Sequence, residues 1–201
     1  MAGKLLIVHG GGPTAVINCS LYGAVTEAVR SGRVDGVYAA NGGMGGLLRE
    51  DFIRLDTLPE STLAALLTTP GSAIGTSRDA MEAPEYARAA EVIGKNGFDF
   101  LLCNGGNGTM DTCGKIYEAC RGAGTPVLVA GIPKTVDNDL AVTDHAPGFA
   151  SAARYIAGVT REICADVRGL PIHVSVIEAM GRNAGWITAA AALARPDGDI
   201  G

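Results

Sequence analysis

A chain of 201 residues is long enough to bury one sizeable core, and a hydrophobic fraction of 47% supplies the material for it. The formal net charge is −5, and no cluster of Lys or Arg stands out, which excludes the electrostatics of a nucleic-acid binder. Charged residues make up only 18% and glycines number 29, a balance that suits a sheet protein with tight loops and excludes a disordered or coiled-coil chain.

Short apolar runs alternate with stretches of helical period, the pattern of βα units building a mainly parallel sheet with helices on both faces. Lys4–His9 reads as the first strand. It runs into Gly10-Gly11-Gly12-Pro13, and a helix is predicted over Thr14–Ser31 with Thr14 as its cap. Val34–Ala40 is the second strand and leads into the glycine-rich segment Asn41 to Gly46. Helices over Glu60–Leu67 and Pro84–Asn96 precede a strand at Phe98–Asn104, which ends in Gly105-Gly106-Asn107-Gly108-Thr109. A helix over Thr109–Gly122, a strand at Pro126–Ala130 and the polar run Gly131 to Asp139 follow. Helix Gly148–Arg168, strand Ile172–Glu178 and helix Asn183–Ala194 complete the expectation.

The glycine and polar loops fall directly after the carboxyl ends of strands, the edge at which open α/β sheets bind ligands, so four of them should converge on one crevice. No repeat or low-complexity linker divides the chain, so 1–201 reads as a single domain. The final Gly-Asp-Ile-Gly is not a natural domain end, which suggests a fragment. The five cysteines, Cys19, Cys103, Cys113, Cys120 and Cys164, form no C-x-x-C pair and read as reduced core thiols. No signal peptide and no apolar run of membrane-spanning length is visible, so a cytoplasmic protein without a membrane partner is expected.

Three loops carry chemistry. His9 to Thr14 offers unpaired N–H groups at a helix start, favourable for a phosphate, though a structural turn remains an equal reading. The Gly105–Thr109 loop lets the backbone wrap a phosphate while Asn107 and Thr109 add side-chain contacts; similar loops occur in NAD and diacylglycerol kinases. Pro133-Lys134-Thr135-Val136-Asp137-Asn138-Asp139 places two carboxylates at i and i+2 beside a lysine. One carboxylate can take a proton from an attacking hydroxyl while the other supports a metal, the two services that phosphoryl transfer requires.

These loops, with Gly71–Arg78, Thr143–Phe149 and Glu178–Arg182, follow phosphofructokinase motifs in order, and the chain resembles the amino-terminal part of that family. The resemblance implies Mg²⁺-dependent transfer of a phosphoryl group from ATP or pyrophosphate to the 1-hydroxyl of fructose 6-phosphate, in a homo-oligomer. It implies Asp137 as the base, Thr135 on the sugar phosphate, and Asp139 with Asn107 at the metal. Gly11, Arg78, Asn107, Gly108 and Thr109 would contact the phosphoryl donor. Met180, Gly181 and Arg182 would line the acceptor site. Gly108 leaves room for a nucleotide's α-phosphate, whereas Lys134, Thr14–Asn18, Thr143–His145 and Gly181–Trp186 resemble the pyrophosphate-type branch; an open loop is a steric requirement, so the balance leans slightly to ATP. Asn107 stands where the family more often has an aspartate, which should weaken metal binding. Rival readings are an NAD or lipid kinase sharing the glycine loop, and a non-catalytic phosphate-binding module.

Overall fold

The computed structural model describes residues 3–170 and 174–195. By its internal contacts the chain divides into two compact units, Met1–Lys134 and Thr135–Gly201.

The first unit is a five-stranded sheet in the order β3-β2-β1-β4-β5. Strands β1 (Gly3–Gly10), β2 (Val34–Ala40), β4 (Phe98–Gly105) and β5 (Leu128–Pro133) are parallel, and the short β3 (Phe52–Arg54) runs antiparallel on the edge beside β2. The helices are α1 (Ala15–Ser31), α2 (Gly43–Leu48), α3 (Glu60–Ala65), α4 (Ala83–Asn96) and α5 (Asn107–Gly122).

Strand pleating assigns the two faces. Leu5 and Ile7 of β1 pack with Leu21, Val25 and Ala28 of α1, while Leu6 and Val8 pack with Val92 and Ile93 of α4 and Ile116 of α5. A central parallel strand must therefore be apolar on both sides, and residues 5–8 are all buried. Each fully buried aliphatic chain contributes about 2 kcal/mol, several times an exposed ion pair at about 0.5 kcal/mol, so the two apolar layers hold the sheet. Of the five cysteines, all free, Cys103, Cys113 and Cys120 are buried in one of these layers; Cys164 is exposed, a correction to its reading as a core thiol.

The second unit contains α6 (Phe149–Gly169), α7 (Trp186–Ala190) and a 3-10 helix over Ala191–Ala194. Two expectations need correction. Residues 174–178 form no strand, and Val174 and Val176 are 91% and 93% exposed; 172 and 173 lie outside the described residues. The helix expected over Asn183–Ala194 begins only at Trp186, after Gly185 at its N-cap, and its last turn, Ala191–Ala194, is 3-10. The other predicted helices and strands are present with ends shifted by a few residues, while β3 and α2 were not foreseen.

Candidate active site

Strand order reverses at β1, since the chain moves from β1 to β2 on one side and returns to β4 on the other. Connections leaving β1 and β4 diverge there and open a crevice at the carboxyl edge. In the first unit a cleft of about 340 Å³ occupies this place. Gly10 ends β1 and Gly11 and Gly12 follow it, Met44 follows β2, Gly106, Gly108, Thr109 and Thr112 follow β4, and Lys134 follows β5. The expected convergence of four loops is thus observed. A fifth segment, Ser77 to Met81, joins them.

The close approach of β1 and β4 to the first turn of α5 dictates two of the glycines. Thr109 is buried, and a side chain at Gly10 or Gly105 would collide with its hydroxyl. Gly108 is different: a Cβ there would meet nothing within 4 Å. The protein's own packing does not demand glycine at 108, and the absent side chain leaves space on the cleft side.

Lys134 is the cleft's buried cation, 6% exposed, and its Nζ donates to the Gly12 carbonyl. It pairs with no carboxylate among the described residues, and burial lowers its pKa. The Arg78 guanidinium approaches the same loop, lying 3.6 Å from where a Gly12 side chain would begin. Two cations beside the first turn of α5, whose N–H groups have no acceptor within the helix, with one carboxylate, Asp79, on the lining, form a pocket for an anion.

Behind this wall His9 is fully buried, and burial together with the Lys134 charge lowers its pKa to about 4. Asn104 Nδ2 lies 3.2 Å from His9 Nε2 and also donates to the Ile17 carbonyl at 3.0 Å. An amide donor facing Nε2 makes that nitrogen the acceptor and puts the ring proton on Nδ1, 2.8 Å from Ser72 Oγ. Asn18, also buried, spans the Thr69 carbonyl and the Ala73 N–H at 2.8 Å each, and Thr76 Oγ1 donates to the Gly11 carbonyl at 2.7 Å. The segment carrying Arg78 is therefore tied to β1, α1 and the first glycine loop. Thr14 occupies the position before α1 but caps nothing; its hydroxyl is buried without a partner, correcting that expectation.

In the second unit, Thr135 pairs with Gly148 across an isolated parallel bridge, closing the loop between them. Asn138, at φ 55, holds its interior by donating from Nδ2 to the Asp144 carbonyl at 3.0 Å and accepting the Ala146 N–H at 2.7 Å. Thr135 Oγ1 accepts the Asp137 N–H at 3.0 Å. This leaves Asp137 half-buried with Oδ1 shielded from water and unpartnered. An acceptor-only oxygen in that state is costly, and is satisfied by a hydroxyl that donates to it.

Of the site residues expected from sequence, Gly11, Arg78, Gly108, Thr109 and Lys134 line the cleft of the first unit. Asn107 begins α5 and is exposed. Thr135, Asp137 and Asp139 lie together on the second unit's loop, and Met180, Gly181 and Arg182 form an exposed turn there. Met44 and Ser77 line the cleft within stretches the sequence had singled out, though not as individual residues; Asp79, Met81 and Thr112 in the cleft, and the roles of His9, Asn18, Ser72 and Asn104 behind it, were missed. His9, Asn18 and Ser72 lie within the stretches 9–18 and 71–78 that resemble the family's motifs, and His9, a polar residue ending an apolar strand, was the clearest signal among them.

The family model described as phosphofructokinase matches residues 4–199. The pyrophosphate–fructose 6-phosphate 1-phosphotransferase of Xanthomonas campestris pv. campestris is 42% identical, over 96% of this chain and 47% of its own length. An ATP-dependent 6-phosphofructokinase of Entamoeba histolytica is 29% identical, over 98% of this chain and 44% of its own. Among solved structures, the pyrophosphate-dependent phosphofructokinase of Nitrosospira multiformis superposes with a TM-score of 0.84 at 38% identity, covering 98% of this chain and 51% of that one. The chain spans about half the length of the relatives it matches. Matched over nearly all its residues, with its glycine loops gathered at one sheet edge, the chain belongs to the phosphofructokinase family.

Proposed function

We propose that this chain is the phosphoryl-donor-binding and catalytic domain of an enzyme that transfers a phosphoryl group from pyrophosphate or ATP to the 1-hydroxyl of fructose 6-phosphate. The observation that carries the reading is Lys134, a buried ammonium whose partner among the described residues is a carbonyl, in a cleft walled by Gly10–Gly12, Arg78 and Thr109. A buried cation without a counter-charge is stabilised by an anion, and phosphates suit a pocket of N–H groups and cations.

Phosphoryl transfer needs little covalent help from the protein beyond placing the reactants and neutralising charge. Lys134 and Arg78 hold the donor phosphates, with Gly11 and Gly108 admitting them closely. Asp137 accepts the proton of the sugar hydroxyl as that oxygen attacks, and its shielded, unpartnered Oδ1 suits a hydroxyl. Thr135, Met180, Gly181 and Arg182 are proposed for the sugar phosphate.

Among the described residues no three His, Cys, Asp or Glu side chains form a metal cluster. A hard cation that takes one or two protein oxygens and completes its shell with substrate phosphates fits such a chain, so Asn107 and Asp139 are the proposed Mg²⁺ contacts. When bound, the ion neutralises charge on the donor phosphates. Among the described residues no helix is long and apolar enough to cross a membrane, and a cytoplasmic homo-oligomer is part of the proposal. The match to phosphofructokinases over residues 4–199 favours the sugar-phosphate reading over an NAD or lipid kinase.

In the full-length protein, Asp137→Ser should lower turnover of fructose 6-phosphate by about three orders of magnitude or more while leaving the melting temperature nearly unchanged. Turnover is measured side by side with pyrophosphate and ATP, which also identifies the donor. Ordinary turnover in the variant would remove Asp137 from the reaction.

A further inference from the structure

We infer that His9 is a positioning residue for phosphoryl-donor binding, acting through Ser72 on the segment that carries Thr76, Ser77 and Arg78. The inference rests on the reading of the first unit's cleft as the donor site.

Asn104 fixes the imidazole with its proton on Nδ1, facing Ser72 Oγ at 2.8 Å. Ser72 Oγ donates in turn to the Gly75 carbonyl at 2.6 Å, and Gly75 N–H donates back to the Ser72 carbonyl at 3.2 Å. A hydroxyl has one proton to give. The opposite tautomer would present a bare Nδ1 lone pair to Ser72, and the hydroxyl would then have to choose between the ring and Gly75. The tautomer imposed by Asn104 therefore leaves the Ser72 hydroxyl proton free for the Gly75 carbonyl, which reinforces the 72–75 turn.

That turn has little freedom elsewhere. Gly75 sits at φ 69, where a Cβ would lie 2.9 Å from the Gly42 Cα, and the Ile74 carbonyl accepts the Gly42 N–H at 2.8 Å. Directly after it, Thr76 holds the Gly11 carbonyl, Ser77 accepts the Gly11 N–H through its own carbonyl at 3.4 Å, and Arg78 reaches the cleft. Asn104, His9, Ser72 and Gly75 thus form one hydrogen-bonded line from β4, through β1, to the base of the segment that presents the arginine.

The test is calorimetric titration of the full-length protein with magnesium pyrophosphate and with magnesium ATP, paired with melting temperatures. Loss of one positioning hydrogen bond should weaken binding about five- to tenfold in Ser72→Ala and in His9→Leu. His9→Asn, whose amide can still donate to Ser72, should stay within about twofold of the parent. In an Arg78→Ala background, Ser72→Ala should add little, because both changes remove the same contribution. Ser72→Ala that lowers the melting temperature but leaves affinity intact would reduce the network to a fold contact, and full additivity with Arg78→Ala would show that it does not act through the arginine. A parent protein that binds neither ligand would overturn the cleft reading and this inference with it.

Discussion

Single residues carry most of what is distinctive here. Asn138 lies between the two carboxylates of the 133–139 run, and its part in shaping them is structural. It occupies the left-handed region, which Asn tolerates and most residues do not, and its amide satisfies both the Asp144 carbonyl and the Ala146 N–H. Asn138→Ala removes both bonds and leaves a strained φ, a loss of about 2–3 kcal/mol in urea unfolding. Asn138→Asp keeps the acceptor and should lose about half as much. The sequence displayed Asp137 and Asp139 plainly because carboxylates at i and i+2 beside a lysine are rare in a plain turn. It hid the role of Asn138, since Asx turns and catalytic loops share their composition.

At the scale of elements, apolar runs and helical period were enough to place α1, α4, α5 and the four parallel strands; β1, buried on both faces, reads as a continuous apolar run, whereas the largely exposed β5 lies two to three residues beyond its expected bounds. The two missed elements are short, three residues in β3 and six in α2. Helix α2 spans Gly43–Leu48 with three glycines of its own, and nothing in its local propensity predicts a helix. Tertiary packing of Met44 and Leu47 and an ionic anchor at its end hold it. Glu50, at φ 59, receives Arg88 at 2.7 Å, Lys95 at 3.0 Å and Asn96 at 3.1 Å, all from α4. The hydrogen bonds from Asn96 and Lys95 and the neighbouring charges hold its carboxylate below the usual range. Glu50→Ala should lower the melting temperature and remove protection from amide exchange in α2 before α4. Equal protection in both would show that packing alone fixes α2.

For the molecule as a whole, stability is tied to pH through the centre of the first unit. His9 is neutral when folded, with a pKa of about 4 against 6.5 for a free imidazole. Between those values the unfolded chain binds a proton that the folded chain refuses, so this stabilisation is complete above pH 6.5 and is lost as the pH falls toward 4. Urea unfolding at pH 7 and pH 5 should differ by about 2 kcal/mol from this group, and His9→Asn should flatten that difference. An unchanged slope in the variant would place the acid sensitivity elsewhere.

The sequence alone determined the α/β class, the glycine loops at strand ends and the family, because apolar periodicity and glycine placement are local consequences of parallel-sheet geometry. It could not determine that Asp79 and Met81 would accompany Arg78 to those loops, that Thr109 would wedge between Gly10 and Gly105, or that Lys134 would be buried without a counter-charge among the described residues. Those facts depend on strand order, which brings β4 beside β1 and β5 beside β4. Burial and hydrogen bonding between segments distant in the chain are fixed only when the sheet assembles.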